Sequence, residues 1–292
     1  MAMKIGFIGT GIMGKSMASH LMAGGHSVQI YNRSRDKAEE LLARGATWFE
    51  TPASLAAASD VIITIIGYPK DVEAIYLGPD GILQNAKKGC ITIDMTTSSP
   101  ELAKQIAVIG QERGIACLDA PVSGGDIGAR DAALSIMVGG DASAYECVLP
   151  LFRLMGKTIA LLGPAGAGQH TKLCNQIVIA STIMGVCEGL IYAKTAGLDP
   201  LAVLDVIGAG AAGGVQLKVQ GPRMIKGDFA PGFMLEHFVK DIGLAIAEAD
   251  RMGLKLPGLA QAKKLYDILM QQGHERTGYH ALFELYLRKE VT

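Results

Sequence analysis

Two lysines stand where a helix of this composition would carry apolar residues. Lys172 lies in Gln-His-Thr-Lys172-Leu-Cys-Asn175-Gln176, at the opening of a long apolar run, and Lys240 lies in Phe238-Val-Lys240-Asp241-Ile. Burying an ammonium is costly unless it is paired, or unless its pKa falls until it serves as an acid or base. Both readings stay open for Lys172, and Asp241 offers Lys240 an immediate partner. Lys172 and Asn175 are three residues apart, so a helix puts them on one face. There a lysine can pass a proton to or from a substrate oxygen while the carboxamide orients that oxygen or the lysine. A third candidate is Ser123-Gly124-Gly125, where the glycines expose consecutive amides beside a hydroxyl. That arrangement suits a carboxylate, and it also suits a structural turn.

The segment Lys4-Ile-Gly-Phe-Ile-Gly9-Thr10-Gly11-Ile12-Met13-Gly14 sets G-x-G-x-x-G between a predicted strand and a predicted helix. Gly9 permits the tight turn, Gly11 lets backbone approach a pyrophosphate, and Gly14 lets helix pack closely on strand, with the helix N-terminus facing the anion. About twenty residues further on, an Asp or Glu would bind the adenosine ribose of NAD. This chain has Asn32-Arg33-Ser34 instead. With no carboxylate to repel a 2′-phosphate, and with Arg33 able to stack on adenine and pair with phosphate, NADP(H) is the preferred cofactor and NAD(H) the alternative. Asn32 or Ser34 could equally cap the next helix, leaving Arg33 and Arg35 solvated. Asp94-Met-Thr96-Thr97-Ser98-Ser99-Pro100 closes another predicted strand, where doubly wound sheets bind ligands, and Thr97 is the hydroxyl expected at the nicotinamide ribose.

These segments need elements to position them. Up to about Leu162, apolar runs alternate with helical stretches, the pattern of a parallel sheet covered by helices. The runs are Lys4–Ile8, Ser27–Tyr31, Val61–Ile66, Cys90–Asp94, Ala116–Asp119, Leu134–Val138 and Thr158–Leu162, all apolar enough for strands buried on both faces. Helices are expected over Gly14–Ala23, Arg35–Arg44 and Glu101–Arg113, the last capped by a serine with Glu101 three residues later. After Gly168 the strand signal fades. Gln169–Ala196 reads as one long, largely buried helix, followed by helical segments around Pro200–Gly208, Gln216–Lys226, Leu235–Met252, Leu259–Gln272 and Tyr279–Lys289. The fold class is therefore α/β: an N-terminal Rossmann domain with a doubly wound parallel sheet over residues 1–163, and an all-helical domain over 164–292 for substrate binding and oligomerisation. Gly208–Gly214 reads as a helix-to-helix turn, with a cleft-bordering loop as the alternative.

Composition narrows the function classes. The 27 basic residues against 28 acidic ones supply no field for nucleic acid. No stretch approaches the ~20 uninterrupted apolar residues of a membrane span, so no membrane partner is expected. The N-terminal residues run directly into a strand without signal-peptide features, which makes the cytoplasm the expected location. The five cysteines form neither a C-x-x-C pair nor a metal-binding spacing with histidine, so reduced, mostly buried thiols and no metal are expected.

Together the motifs GxGxMG, DMTTSSP, DAPVSGG, GxGxxxKxxN and KDxxLA resemble, in order and spacing, the 3-hydroxyacid dehydrogenase family, which includes 3-hydroxyisobutyrate dehydrogenase and tartronate semialdehyde reductase. The resemblance spans essentially the whole chain. It implies that Ser123, Gly124 and Gly125 bind a substrate carboxylate, that Lys172 acts on the hydroxyl, and that Lys240 borders nicotinamide and substrate. It also implies a small carboxylate-bearing substrate and a homodimer or homotetramer. Branch markers are mixed. Asn175-Gln176 replaces the common Asn-Asn and is closer to the tartronate semialdehyde branch. Asn-Arg-Ser is closer to NADPH-using glyoxylate and succinic semialdehyde reductases, which usually differ at the last position of DAPVSGG. Three competing readings share some of these features. A phosphogluconate-type decarboxylase would have a much longer helical region, an imine reductase would lack the lysine at 172, and a non-catalytic dinucleotide-sensing module would have lost it.

Overall fold

The computed structural model describes residues 2–291, and the chain divides into two compact units, Met1–Lys172 and Leu173–Thr292. In the first unit, β1 (Lys4–Ile8), β2 (Ser27–Tyr31), β3 (Thr47–Trp48), β4 (Val61–Thr64), β5 (Ile91–Asp94) and β6 (Ala116–Asp119) form a sheet in the order β3-β2-β1-β4-β5-β6. Every pairing in it is parallel. Successive residues of a strand point to opposite faces. Ile5, Phe7, Val61 and Ile63 accordingly pack into one core with Met17 and Leu21, while Ile8 and Ile62 pack into another with Leu55, Val72 and Tyr76. Burial on both faces is what makes these runs continuously apolar. The order places the end of β1 beside the end of β4, at the reversal of strand order where such sheets bind dinucleotides.

The last two predicted runs depart from that picture. β7 (Val122–Ser123), β8 (Leu134–Val138) and β9 (Gly156–Leu161) form a separate three-stranded sheet, with β7 antiparallel and β9 parallel to β8. Pro121 has no amide for a ladder, so the chain leaves β6 there. β8 alternates buried and half-buried residues, and β9 is mostly exposed, so neither is a strand covered on both sides. The helix cap also shifts by one residue: Ser99, rather than Ser98, accepts from the amides of Glu101 and Leu102, with Pro100 in the first turn. The predicted helix at Arg35–Arg44 is a 3-10 turn, Arg35–Ala38, followed by the α-helix Glu39–Ala43.

The second unit is helical. Helix Ala167–Thr195 carries Leu173, Ala180, Ile183, Cys187 and Leu190 into a core shared with Phe238, Ile242, Leu265, Tyr266 and Leu285. The expectation that this helix is largely buried is corrected: Cys174, Val178, Ser181, Gly185, Gly189 and Tyr192 form an exposed stripe along it. A sequence apolar all round does not distinguish the covered face from the bare one. By length and composition this is the one helix among the described residues apolar enough to cross a membrane, and one face of it lies in the unit's own core. The predicted helix at Gln216–Lys226 opens with a π-turn, Gln216–Gln220, before the α-helix Gly221–Lys226. Pro222 cannot donate to the carbonyl of Lys218, which breaks the regular ladder at that point. Helix Leu235–Arg251 buries Leu235, Phe238, Asp241, Ile242, Ala245, Glu248 and Ala249, an amphipathic face that includes two carboxylates.

Candidate functional site

The turn after β1 is built for close approach. Gly9 adopts φ +101, and a Cβ there would run into the carbonyl of Ile65. A Cβ on Gly14 would strike the carbonyl of Gly9, so helix Ile12–Ala23 sits directly against the turn. Gly11 differs from both, because a Cβ there meets nothing within 4 Å. Its missing side chain keeps space open at the N-terminus of that helix, whose first amides have no side-chain cap. The Thr10 hydroxyl is buried and has no hydrogen-bond partner among the described residues. Uncapped amides, open space and an orphaned buried hydroxyl fit the pyrophosphate of a dinucleotide. Ile12 is exposed and Met13 half-buried beside them.

The end of β2 folds back onto this turn. Asn32 Oδ1 accepts from the Thr10 amide at 3.3 Å, and Asn32 Nδ2 donates to the Ser34 carbonyl at 2.9 Å. Asn32 therefore braces the turn after β1 and does not cap the following helix. Ser34 stands at the N-cap of the 3-10 turn but makes no side-chain cap bond. Arg33 is exposed, whereas Arg35 lies over the ring of Trp48, 5.3 Å from its centroid.

At the carboxyl ends of β5 and β6, polar groups tie the sheet to the start of helix Ala167–Thr195. Asp119 accepts from the amides of Gly166 and Gln169 at 2.7 and 2.8 Å. The Gln169 side chain then accepts from the Ser98 amide and donates to the Thr96 carbonyl, both at 2.8 Å. Lys172, only 7% exposed, is three residues beyond Gln169 and shares its helix face. The lysine is therefore held within one turn of the strand ends. Asp119 and Gln169 were not among the expected site residues, since one reads as a strand terminus and the other as an ordinary helix residue. The Ser98 hydroxyl is buried without a hydrogen-bond partner among the described residues, and Thr97 is half-buried beside it. Ser123 closes β7 opposite Ser135, and Gly124 and Gly125 take φ +132 and +62, a conformation that favours glycine.

Burial raises the carboxyls beneath this edge. The Asp94 carboxyl is pushed from 3.8 to about 6 by desolvation, offset by hydrogen bonds from Thr96 and Thr64. Asp119 is raised for the same reason and eased by the amides it accepts. Thr64 donates to Asp94 at 2.8 Å, so Tyr76, 3.2 Å from the same hydroxyl, is the donor to Thr64.

In the second unit, Asn175 Nδ2 donates to Gln176 Oε1 at 2.7 Å, and Gln176 Nε2 donates to Asp241 Oδ2 at 2.6 Å. Lys240 Nζ lies 3.0 Å from Asp241 Oδ1, within ion-pair distance though off the hydrogen-bond direction. Asp241 thus pairs with Lys240, as its place in the sequence suggested. Desolvation and then Lys240 hold nearby His237 below the usual histidine range. Among the described residues, no group of three His, Cys, Asp or Glu side chains is placed to hold a metal ion.

Comparison with known proteins agrees with this architecture. Residues 4–163 match the family described as the NAD binding domain of 6-phosphogluconate dehydrogenase, and residues 166–286 that described as the NAD-binding domain of NADP-dependent 3-hydroxyisobutyrate dehydrogenase. An uncharacterized oxidoreductase, YkwC, of Bacillus subtilis is 52% identical over 97% of this chain and 99% of its own length. The 2-hydroxy-3-oxopropionate reductase of Escherichia coli is 41% identical over 97% of this chain and 96% of its own. The solved structure of Mycobacterium tuberculosis 3-hydroxyisobutyrate dehydrogenase with L-serine superimposes with a TM-score of 0.90 at 30% identity, covering 98% of this chain and 99% of that one. Both family matches and full-length relatives thus converge on what the glycine turn and the lysine-bearing helix suggested: the chain belongs to the 3-hydroxyacid dehydrogenase family of NAD(P)-dependent oxidoreductases.

Proposed function

We propose that the protein interconverts a small aldehyde acid and its hydroxy acid with NADP(H), using Lys172 as the proton donor in reduction and the acceptor in oxidation. The observation that carries this reading is the anchoring of Lys172. Asp119 and Gln169 bond the first turn of its helix to the carboxyl ends of β5 and β6, the edge at which doubly wound sheets bind ligands. Gly9, Thr10, Gly11, Ile12, Met13 and Gly14 would hold the pyrophosphate, and Asn32, Arg33 and Ser34 the adenosine end. Thr97 and Lys240 would border the nicotinamide, which supplies or accepts the hydride when bound.

In this reading Ser123 and the amides of Gly124 and Gly125 hold the substrate carboxylate, with Lys240 as its positively charged contact. As negative charge builds on the reacting oxygen, Lys172 Nζ delivers a proton to it, and Asn175 orients the pair. Preference for NADP(H) is supported by the absence of a carboxylate at the end of β2 and by the exposed Arg33. The E. coli relative is named for 2-hydroxy-3-oxopropionate and the M. tuberculosis structure holds L-serine, both three-carbon acids oxygenated at C3. Such acids therefore head a substrate panel that also includes glyoxylate, succinic semialdehyde and methylmalonate semialdehyde. We place the enzyme in the cytoplasm as a homodimer or homotetramer assembled through the exposed stripe of helix Ala167–Thr195.

The test is NADPH oxidation across that panel in the wild type and in Lys172→Ala. Turnover should fall by roughly 10²–10⁴-fold in the variant, with dinucleotide affinity unchanged. Wild-type turnover in Lys172→Ala would overturn the assignment.

A further inference from the structure

Gln176 is fully buried between Asn175 and Asp241, and its carboxamide can be oriented in only one sense. An ionised carboxylate accepts hydrogen bonds and cannot donate them. Asp241 Oδ2 lies 2.6 Å from the Gln176 side chain, so the end of the amide facing it is Nε2. Oε1 must then face the other way, toward Asn175 at 2.7 Å, and it can only accept. Asn175 is thereby obliged to turn its own Nδ2 toward Gln176. Its carbonyl oxygen is carried to the opposite side. The charge at the far end of this chain of bonds fixes which end of each amide is nitrogen.

We infer that Gln176 is a positioning residue that transmits the charge of Asp241 to Asn175, so that Asn175 presents an acceptor oxygen, and not its amide nitrogen, to the reacting groups. This rests on the reading of Asn175 as part of the hydride-transfer site. An acceptor at that position suits a substrate hydroxyl or a lysine ammonium, both of which donate. It is unsuited to a bare carbonyl oxygen, which needs a donor. The polarity therefore assigns the carbonyl contact to Lys172 and leaves Asn175 to hold the lysine or the alcohol. Asp241 has two tasks in this arrangement, since its other oxygen lies 3.0 Å from Lys240 Nζ.

Two substitutions at 176 separate orientation from packing. Gln176→Met keeps volume but can neither donate to Asp241 nor accept from Asn175. About tenfold loss of kcat is expected, the equivalent of one hydrogen bond of ~1.4 kcal/mol, with KM for the dinucleotide unchanged. Gln176→Glu behaves differently at the two ends of the pH range. Protonated, the acid donates to Asp241 and accepts from Asn175 as glutamine does. Ionised, it repels Asp241, so one proton is shared and the pair's upper pKa is raised.

The charged and titratable groups near this position are Asp241, Lys240 and His237 on helix Leu235–Arg251 and Lys172 on its own helix, with Glu236 and Arg276 paired to each other at 3.3 Å. None of these changes in the variant. Its kcat should approach the wild-type value at low pH and fall as pH rises, in a step absent from the wild-type profile. A residue needed only for packing would shift the melting temperature without adding that step. The side-chain amide resonance of Asn175, identified by its loss in Asn175→Asp, gives a readout independent of turnover. It should show slow proton exchange in the wild type and fast exchange in Gln176→Met. Wild-type kcat in Gln176→Met, a Gln176→Glu profile parallel to the wild type, or unchanged exchange at Asn175 would each overturn the inference. Lys172→Ala assayed alongside shows separately whether the lysine assignment has failed.

Discussion

Asp94 ends β5 in a pocket of hydroxyls rather than water, and the cost of ionising it there has a measurable consequence. Its carboxyl is raised from 3.8 to about 6 by burial, so the folded state favours the protonated form. The stability this contributes is fully present below pH 3.8 and is lost as pH rises through about 6. The difference is on the order of 2–3 kcal/mol. Asp94→Asn keeps an acceptor oxygen for Thr64 and Thr96 but cannot ionise. Its melting temperature relative to wild type should therefore rise between pH 4 and pH 7, and a constant difference across that range would contradict the argument. The proposed preference for a 2′-phosphate rests on Arg33, exposed just beyond β2. Arg33→Ala should lower kcat/KM for NADPH by about tenfold or more, the scale of one lost charge-assisted contact, and leave NADH turnover nearly unchanged.

At the scale of elements, the glycine turn and the start of helix Ala167–Thr195 work by different physics. Ala at Gly9 would clash with the Ile65 carbonyl in a strained backbone, so loss of cofactor binding there would be confounded with loss of folding. Gly11 is the cleaner probe. Its backbone is at φ −70 and its Cβ direction is open, so Gly11→Ala should melt like the wild type. Dinucleotide affinity should nevertheless fall by an order of magnitude or more, because the proposed site has the pyrophosphate occupy that space. Equal affinity by titration calorimetry would argue against a pyrophosphate at this turn.

Asp119 is the fastening of the helix. Asp119→Ala strips an acceptor from two amides, Gly166 and Gln169, at a cost of roughly 1–3 kcal/mol for each buried group left unsatisfied. Because Lys172 rides on that turn, kcat should fall together with denaturation midpoint. The same cost without any loss of kcat would separate the fastening from the chemistry.

At the scale of the whole molecule, the exposed stripe on the long helix is the feature that a single chain does not explain. Val178 is 64% and Tyr192 75% exposed, on a helix whose opposite face is core. Paired substitution Val178→Asp and Tyr192→Glu should lower the mass measured by light scattering and leave helix content intact. An unchanged mass would argue against the proposed assembly through this stripe.

What the sequence alone determined is what is encoded over short distances. G-x-G-x-x-G between strand and helix, the two-sided apolar runs of the parallel sheet, the helical second half and the pairing of Asp241 with Lys240 are all legible within a few residues of each other. The separation of β8 and β9 into their own sheet was less legible, because a short apolar run has the same appearance in either sheet and only its partners differ. Tertiary structure decided the rest. Asp119 meets Gln169 across 50 residues, Ser98 meets Gln169 across 71, and Gln176 meets Asp241 across 65. No local periodicity reports such pairings, since a polar side chain bonded across the fold and one turned to water look alike until the backbone brings the partner within 3 Å. The lysine at 172 was visible from the beginning; the hydrogen bonds that hold its helix to the sheet edge appear only in the folded chain.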